Sequence, residues 1–182
     1  MKKVHTISLL FLFVILGVGV LVSVPAFASP YGVGKYGADV PYGKDTSITI
    51  SASNVVVSAA PGASGQLSTA TAPVTVYSTD VTGYKLYVNA LSSTDLTSTG
   101  GTIPASGNVS AAPLVVNTWG YNTDATTNFL GMTTSMALIK NLVGPSRLGD
   151  TTTVTYGIYV DNNTQAGSYT TTVLYTAVPQ TT

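Results

Sequence analysis

After residue 28 the chain contains no Glu, no His and no Cys, and this absence limits what it can fold into. Glu is a strong helix former and Lys is scarce here, whereas Thr, Ser, Val and Tyr are abundant and favour pleated, half-buried surfaces. Histidines and thiolates are also the usual general bases and soft-metal ligands of enzymes. The composition therefore predicts an all-β protein with a structural or binding role, without catalytic residues or enzymatic activity.

The first 28 residues have the three-part pattern of a secretory signal peptide. Lys2 and Lys3 provide positive charge, an apolar stretch covers residues 7–24, and Ala28 closes the small-x-small pattern that signal peptidase accepts. We predict cleavage after Ala28, which makes the protein secreted and cell-surface associated. A retained membrane anchor is the alternative, because about 18 apolar residues nearly cross a bilayer.

The residues after Ala28 divide into an arm and one domain. Residues 29–45 are rich in Tyr and Gly, and glycines raise the entropy cost of ordering a segment. This arm is either a flexible leader or an extended strand that pairs with a neighbouring subunit. Residues 46–182 suit a single domain in size. Acids and bases balance at seven each in the whole chain, so binding to nucleic acid through phosphate neutralisation is not expected.

Alternation of apolar and polar residues predicts strands along the domain. The inward set over residues 84–90 is Tyr84, Leu86, Val88 and Ala90, and residues 114–119 alternate in the same way. The clearest strand covers residues 153–160, and a turn-rich loop is expected to join it as a hairpin to residues 169–177. Val55 and Val57 are out of phase with the preceding Ile48 and Ile50, which predicts a bulge near Asn54.

Six to eight such strands at this spacing predict an antiparallel Ig-like β-sandwich with Greek-key connections, preceded by the signal peptide and the arm. Residues 132–143 are ambiguous and fit either a helical turn or a strand.

Several short segments, taken in serial order, resemble a group of poorly characterised exported surface proteins of Gram-positive and candidate-phyla bacteria. The segments are Gly83–Val88 (GYKLYV), Asp95–Leu96, Ile103–Ala105, Trp119–Tyr121 (WGY), Val154–Asp161 and Ala166–Ala177. The last of them is also similar to the end of the WxL cell-surface domain, although Leu174–Ala177 lack the Trp of that motif. The resemblance implies an Ig-like β-sandwich at the cell surface and brings no catalytic residues.

Two loops contain oxygen donors that suit a hard cation. One is Asp161–Asn162–Asn163, and the other combines Asp124 with Asn122 and Asn128. Asp and Asn are also the ordinary residues of turns. We therefore predict no cofactor and no metal site, and Ca²⁺ remains the alternative.

Aromatic residues outside the predicted core are the candidates for contact with a partner, because they offer rigid contact area. They are Tyr31, Tyr36, Tyr42, Tyr87, Trp119, Tyr121 and Tyr159. Trp119 has a second interpretation, in which it packs between the sheets.

The sequence thus predicts a non-catalytic bacterial structural or adhesion module whose partner is itself or another cell-surface component. Membrane contact would come only through an uncleaved leader. One alternative is a filament subunit that assembles by strand addition of the arm. Another is a carbohydrate-binding module that stacks exposed Trp and Tyr on a glycan.

Overall fold

The computed structural model describes residues 11–19 and 47–180, and both ranges fold as strands and connecting loops without a helix. The strands are β1 (Phe11–Gly19), β2 (Ser47–Ala52), β3 (Val55–Ala59), β4 (Gln66–Thr79), β5 (Gly83–Ala90), β6 (Leu96–Ser98), β7 (Gly101–Ile103), β8 (Thr118–Asn122), β9 (Ala137–Val143), β10 (Asp150–Val160) and β11 (Tyr169–Gln180). The all-β prediction is therefore confirmed. Within these ranges no helix has the length and apolarity needed to cross a membrane. The predicted cleavage site and the arm lie outside the described residues.

The strands form two sheets. The large sheet has the order β3-β1-β11-β5-β9, with β6 attached to β11 and β7 attached to β6. The small sheet has the order β2-β4-β10-β8. Neighbouring strands are antiparallel, as predicted, with the exception of β1 and β11, which run parallel.

The inward faces of both sheets contribute to one apolar core. The large sheet supplies the predicted inward set of β5, and its four residues are each 0% exposed. The small sheet supplies Val154, Tyr156, Ile158 and Val160 of β10, and each is at most 2% exposed. Because alternation reports which side of a strand is buried, these faces were predictable from the sequence. Asn89 departs from the pattern: its amide is buried and donates hydrogen bonds to the carbonyls of Ala90 and Thr134.

Pro73 shows how local sequence and pairing agree in the longest strand. β4 pairs with β10 over residues 66–76, but β2 pairs only with residues 74–79. Pro73 lies where the pairing with β2 stops, and it is exposed. Because proline has no backbone N–H to donate, it is tolerated where a strand has an open side.

The predicted hairpin between β10 and β11 is wrong. β10 lies in the small sheet and β11 in the large sheet, so the loop between them crosses from one sheet to the other. The two strands face each other across the core, where the Tyr156 and Tyr175 hydroxyls are hydrogen-bonded at 2.5 Å. Alternation cannot distinguish this arrangement from a hairpin, because both bury the same side of each strand.

The predicted bulge near Asn54 is instead a change of sheet. β2 belongs to the small sheet and β3 to the large sheet, with Ser53 and Asn54 between them. The core lies on opposite sides of a chain before and after it crosses between facing sheets. The inward set must therefore shift by one residue, which explains the phase change at Val55.

The structure also decides the conformation of residues 114–117 and of residues 132–143. Residues 114–117 are a loop rather than a strand, and Asn117 there has a φ of 62°. The ambiguous segment 132–143 contains β9 and no helical turn.

The outer face of the small sheet is partly covered by its own chain. Gly157 of β10 and Gly120 of β8 are paired, and the ring of Phe129 lies over Gly157. A Cβ at Gly157 would lie 2.5 Å from Phe129 Cε1, so only glycine fits there. Phe129 is 0% exposed as a result. This part of the face is therefore closed to a ligand.

The Tyr156–Tyr175 hydrogen bond predicts a measurable coupling between the two sheets. Changing either residue to Phe leaves one buried hydroxyl without a partner, which should lower the free energy of unfolding by about 1–3 kcal/mol. The double variant should lose less than the sum of the single changes, because neither hydroxyl then remains. Urea denaturation of all four chains measures the cycle, with the exposed Tyr77→Phe as a neutral control. Strictly additive losses would contradict the coupling.

The same pair predicts loss of stability in alkali. Burial raises the pKa of Tyr175 to about 12 and raises the pKa of Tyr156 well above the ordinary value of 10.0. The native state therefore keeps protons that the unfolded chain releases, so stability is fully present below pH 10 and falls as the pH rises further. The midpoint of thermal unfolding should drop from about pH 10 upward, and less steeply in the double Phe variant. Equal slopes for the two chains would contradict this account.

Candidate strand groove and edge surface

A groove between β3 and β11 is the feature of the fold most suited to a partner. In the structure β1 fills this groove. It pairs in parallel with β11, where Phe13 lies opposite Tyr169 and Gly19 opposite Tyr175. It pairs antiparallel with β3, where Phe11 lies opposite Ala59 and Ile15 opposite Val55. β3 and β11 do not pair with each other. The strand in the groove is therefore the link between β3 and the rest of the large sheet.

The two strands that border this groove carry no charged side chain and contribute apolar residues to the core. β3 has the sequence VVVSA and buries Val55, Val57 and Ala59, while β11 buries Tyr169, Val173 and Tyr175. Neither strand contains an ionisable side chain other than tyrosine. β3 also packs against β4 and β10 of the small sheet, so it has support beyond its pairing with β1. β1 pairs with both strands through backbone hydrogen bonds, which is the way an extended segment adds to a sheet.

The opposite end of the large sheet is an open edge formed by β9. Its neighbour on one side is β5, and within the described ranges it has no partner on the other side. Leu138 and Val143 of this strand are 53% and 85% exposed. The register shifts between Leu86 and Tyr87 of β5, so that Ile139 is an additional residue in β9. Such irregularities disturb edge-to-edge pairing, but the edge still exposes apolar side chains.

The cluster of Lys140, Asp150 and Tyr84 ties this edge to the small sheet. Lys140 Nζ lies 2.7 Å from Asp150 Oδ2, and the Tyr84 hydroxyl donates a 2.5 Å hydrogen bond to the same carboxylate. Burial alone would raise the pKa of Asp150, but these two donors and the Lys140 charge hold it below its ordinary value. Burial and the neighbouring carboxylate both raise the pKa of Tyr84. The carboxylate therefore stays ionised and paired, which makes it a poor general base.

The first candidate calcium loop uses its oxygens within the protein. Asp161 accepts hydrogen bonds from the Asn117 amide, the Asn163 amide and the Asn163 backbone N–H. Thr164 in turn donates to Asn117 Oδ1 at 2.6 Å. Burial of Asp161 acts to raise its pKa, yet these donors lower it overall. These hydrogen bonds therefore fix the conformation of the loop that connects β10 to β11.

The second candidate loop is organised in the same way. The Asn122 amide donates to the carbonyls of Thr126 and Asn128, and Asp124 accepts hydrogen bonds from the backbone and hydroxyl of Thr126. These bonds from Thr126 lower the pKa of Asp124. In residues 11–19 and 47–180 no group of three or more His, Cys, Asp or Glu side chains is placed to hold a metal ion. The expectation of no metal site, with Ca²⁺ as the alternative, stays a prediction from the sequence.

The aromatic candidates separate by burial. Trp119 is 0% exposed and donates from Nε1 to the carbonyl of Thr94, while Tyr121 is 3% exposed. Neither side chain can form an external platform, because both point into the core from β8. Tyr87 and Tyr159 are half-buried, and the Tyr159 hydroxyl donates to the carbonyl of Ser64. Tyr31, Tyr36 and Tyr42 lie outside the described residues.

Sequence reasoning missed the groove, because it assigned residues 11–19 entirely to the hydrophobic part of a signal peptide. The available signal was composition: Phe, Val and Ile in FLFVILGVG are strong strand formers as well as membrane-compatible residues. The sequence of this segment fits both a signal peptide and a β-strand, and its role as a strand is visible only in its pairing with β3 and β11.

No protein-family model matches the chain, and no curated protein sequence matches it. The resemblance to exported bacterial surface proteins therefore remains a prediction that rests on the sequence segments quoted above.

The burial of Trp119 predicts a structural role for this side chain. Trp119→Ala should lower the free energy of unfolding by about 3–5 kcal/mol, because it removes a large core side chain and leaves a cavity. Chemical denaturation followed by tyrosine fluorescence measures the loss. Tyr87→Ala, at a half-buried position on β5, is the comparison and should cost clearly less. A Trp119→Ala protein that kept its stability but lost glycan binding would contradict the core assignment.

Proposed function

We propose that the chain is an exported, non-catalytic structural or adhesion module of a bacterial cell surface, built as an Ig-like β-sandwich. It acts by presenting the edges of its large sheet to copies of itself or to another surface component. The observation that carries this proposal is the β9 edge, where exposed apolar side chains stand beside unpaired backbone. Such an edge is a template for association unless charges guard it.

The environment of the acidic groups supports a role without catalysis. Asp150 is held in an ion pair, and Asp124 and Asp161 accept hydrogen bonds that stabilise their own loops. A general base or nucleophile needs a carboxylate that is free to exchange protons or attack a substrate. These three carboxylates are instead used to fix the fold.

The filament subunit is the second candidate function, and it is favoured by the strand that fills the groove. A sheet that accepts one extended segment from outside the compact domain can accept another. The carbohydrate-binding alternative has less support, because the tryptophan expected to stack on sugar is buried.

The β9 edge predicts which substitutions weaken association. The double variant Leu138→Lys/Val143→Lys places two charges on the edge and should weaken association by at least about tenfold, or about 1.4 kcal/mol. The readouts are sedimentation velocity for self-association and retention of the exported protein on cell-envelope preparations for another partner.

The matched control is Val109→Lys/Leu148→Lys, which adds the same charges at loop residues that are 97% and 96% exposed. This control should behave like the unchanged chain. Equal behaviour of the edge variant and the unchanged chain in both assays would refute the edge as the contact surface.

A further inference from the structure

The strand that completes the large sheet comes from the part of the chain that the sequence predicts to be removed. β1 covers Phe11–Gly19, and the predicted cleavage follows Ala28. An exported chain cut at that point has lost the strand between β3 and β11. The groove would then expose two backbone edges along uncharged strands.

An empty groove of this kind is costly. Each strand that loses a neighbour leaves N–H and C=O groups without partners, and unpaired backbone is tolerated only where water can reach it. β3 would lose its only strand partner among the described residues, because β1 is what joins it to the sheet. Uncharged edges of this length are strong templates for pairing with another chain.

We propose that residues 29–45 of a second copy fill the groove after the leader is removed, so that copies join by strand addition. This inference rests on the proposed export of the chain. The donor strand takes the direction that β1 shows, parallel to β11 and antiparallel to β3. Because each copy then has one donor arm and one acceptor groove, copies join head to tail, and the product is a filament where the rotation between copies does not close into a ring.

The arm suits the role of donor in length and charge. Pairing of β1 with β11 spans Phe13 to Gly19, and the 17-residue arm is longer than this. Over residues 29–38 it has a single charged side chain, Lys35, and it carries Tyr31, Val33 and Tyr36, residue types that favour strands. Its donor half is therefore compatible with uncharged walls.

The position of β2 favours a second copy over the arm's own copy. β2 begins at Ser47, directly after the arm, and leads into β3 after two residues. A strand in the groove runs antiparallel to β3. An arm that filled its own groove would therefore have to reverse direction before Ser47, whereas an arm from another copy needs no reversal. Short connections under such a constraint favour exchange between copies.

Cysteine crosslinking between copies tests the proposal, because the chain has no native cysteine. Two full-length chains are expressed with their leaders and recovered after export, one with Val56→Cys on β3 and the other with Tyr36→Cys in the arm. Val56 is 45% exposed, so the substitution does not disturb the core. The chains are unfolded, mixed, refolded and treated with a short bifunctional maleimide that tolerates a small shift in register. Intact mass measures the leader and the crosslinked product.

The expected result is a chain that begins at Ser29 and a mixed product containing one copy of each variant. Leu138→Cys replaces Val56→Cys in the control, since it is a similarly exposed residue on the opposite edge. The control should give no mixed product with Tyr36→Cys. If Val56→Cys fails to refold by circular dichroism, Ser58→Cys on the same exposed side of β3 replaces it.

Three results would overturn the proposal: a retained leader, no mixed product, or crosslinking only within a chain that carries both cysteines. The last result would mean that the arm fills the groove of its own copy. This assay is separate from the β9 test, because association through β9 alone would be lost in Leu138→Lys/Val143→Lys while the groove gave no mixed product.

Discussion

Burial of hydroxyl-bearing aromatics between two sheets is the constraint on which the core depends. A chain without disulfides and with few charges relies on apolar burial, yet here a large part of that burial comes from tyrosine and tryptophan. Each such side chain brings a polar atom into the core that needs a partner. The two facing tyrosines of β10 and β11 satisfy each other, and Trp119 uses a loop carbonyl. The two sheets are thereby held in one relative position rather than packed as interchangeable apolar layers.

The second constraint is that strands need neighbours. The small sheet meets it largely within the domain, since β10 pairs with residues 66–76 of β4 and loops bridge to β8. The large sheet does not, because its continuity passes through a strand from the N-terminal segment and it ends at the apolar strand β9. In the proposed role at a cell surface, this asymmetry between the sheets would direct association to the large one.

Periodicity predicted the inward faces of β5 and β10 because burial of one strand face leaves a direct trace in the residue pattern. Periodicity gave wrong predictions where one alternation pattern is compatible with two strand topologies. The phase change at Val55 marked a real event, but a bulge and a change of sheet shift the inward set alike. For Trp119 the sequence left two interpretations open, an exposed contact residue and a residue packed between the sheets, and the structure shows the second. Alternation could not decide between them because residues 114–117 are a loop, so a phase counted from Leu114 carries no information about β8. Position 157 of β10 is a glycine because the Phe129 ring packs against it. No pattern in the neighbouring residues predicts that contact.

Composition and alternation by themselves determined that this chain is all-β and which side of the main strands is buried. These properties depend on residue type and on neighbours two positions away, so a linear pattern contains them. The tertiary structure alone decided which sheet each strand joins, that β10 and β11 face each other across the core, and that an apolar N-terminal segment lies between β3 and β11. Those outcomes depend on hydrogen bonds between residues far apart in the chain. The strand propensity of a segment does not specify which other strand it pairs with.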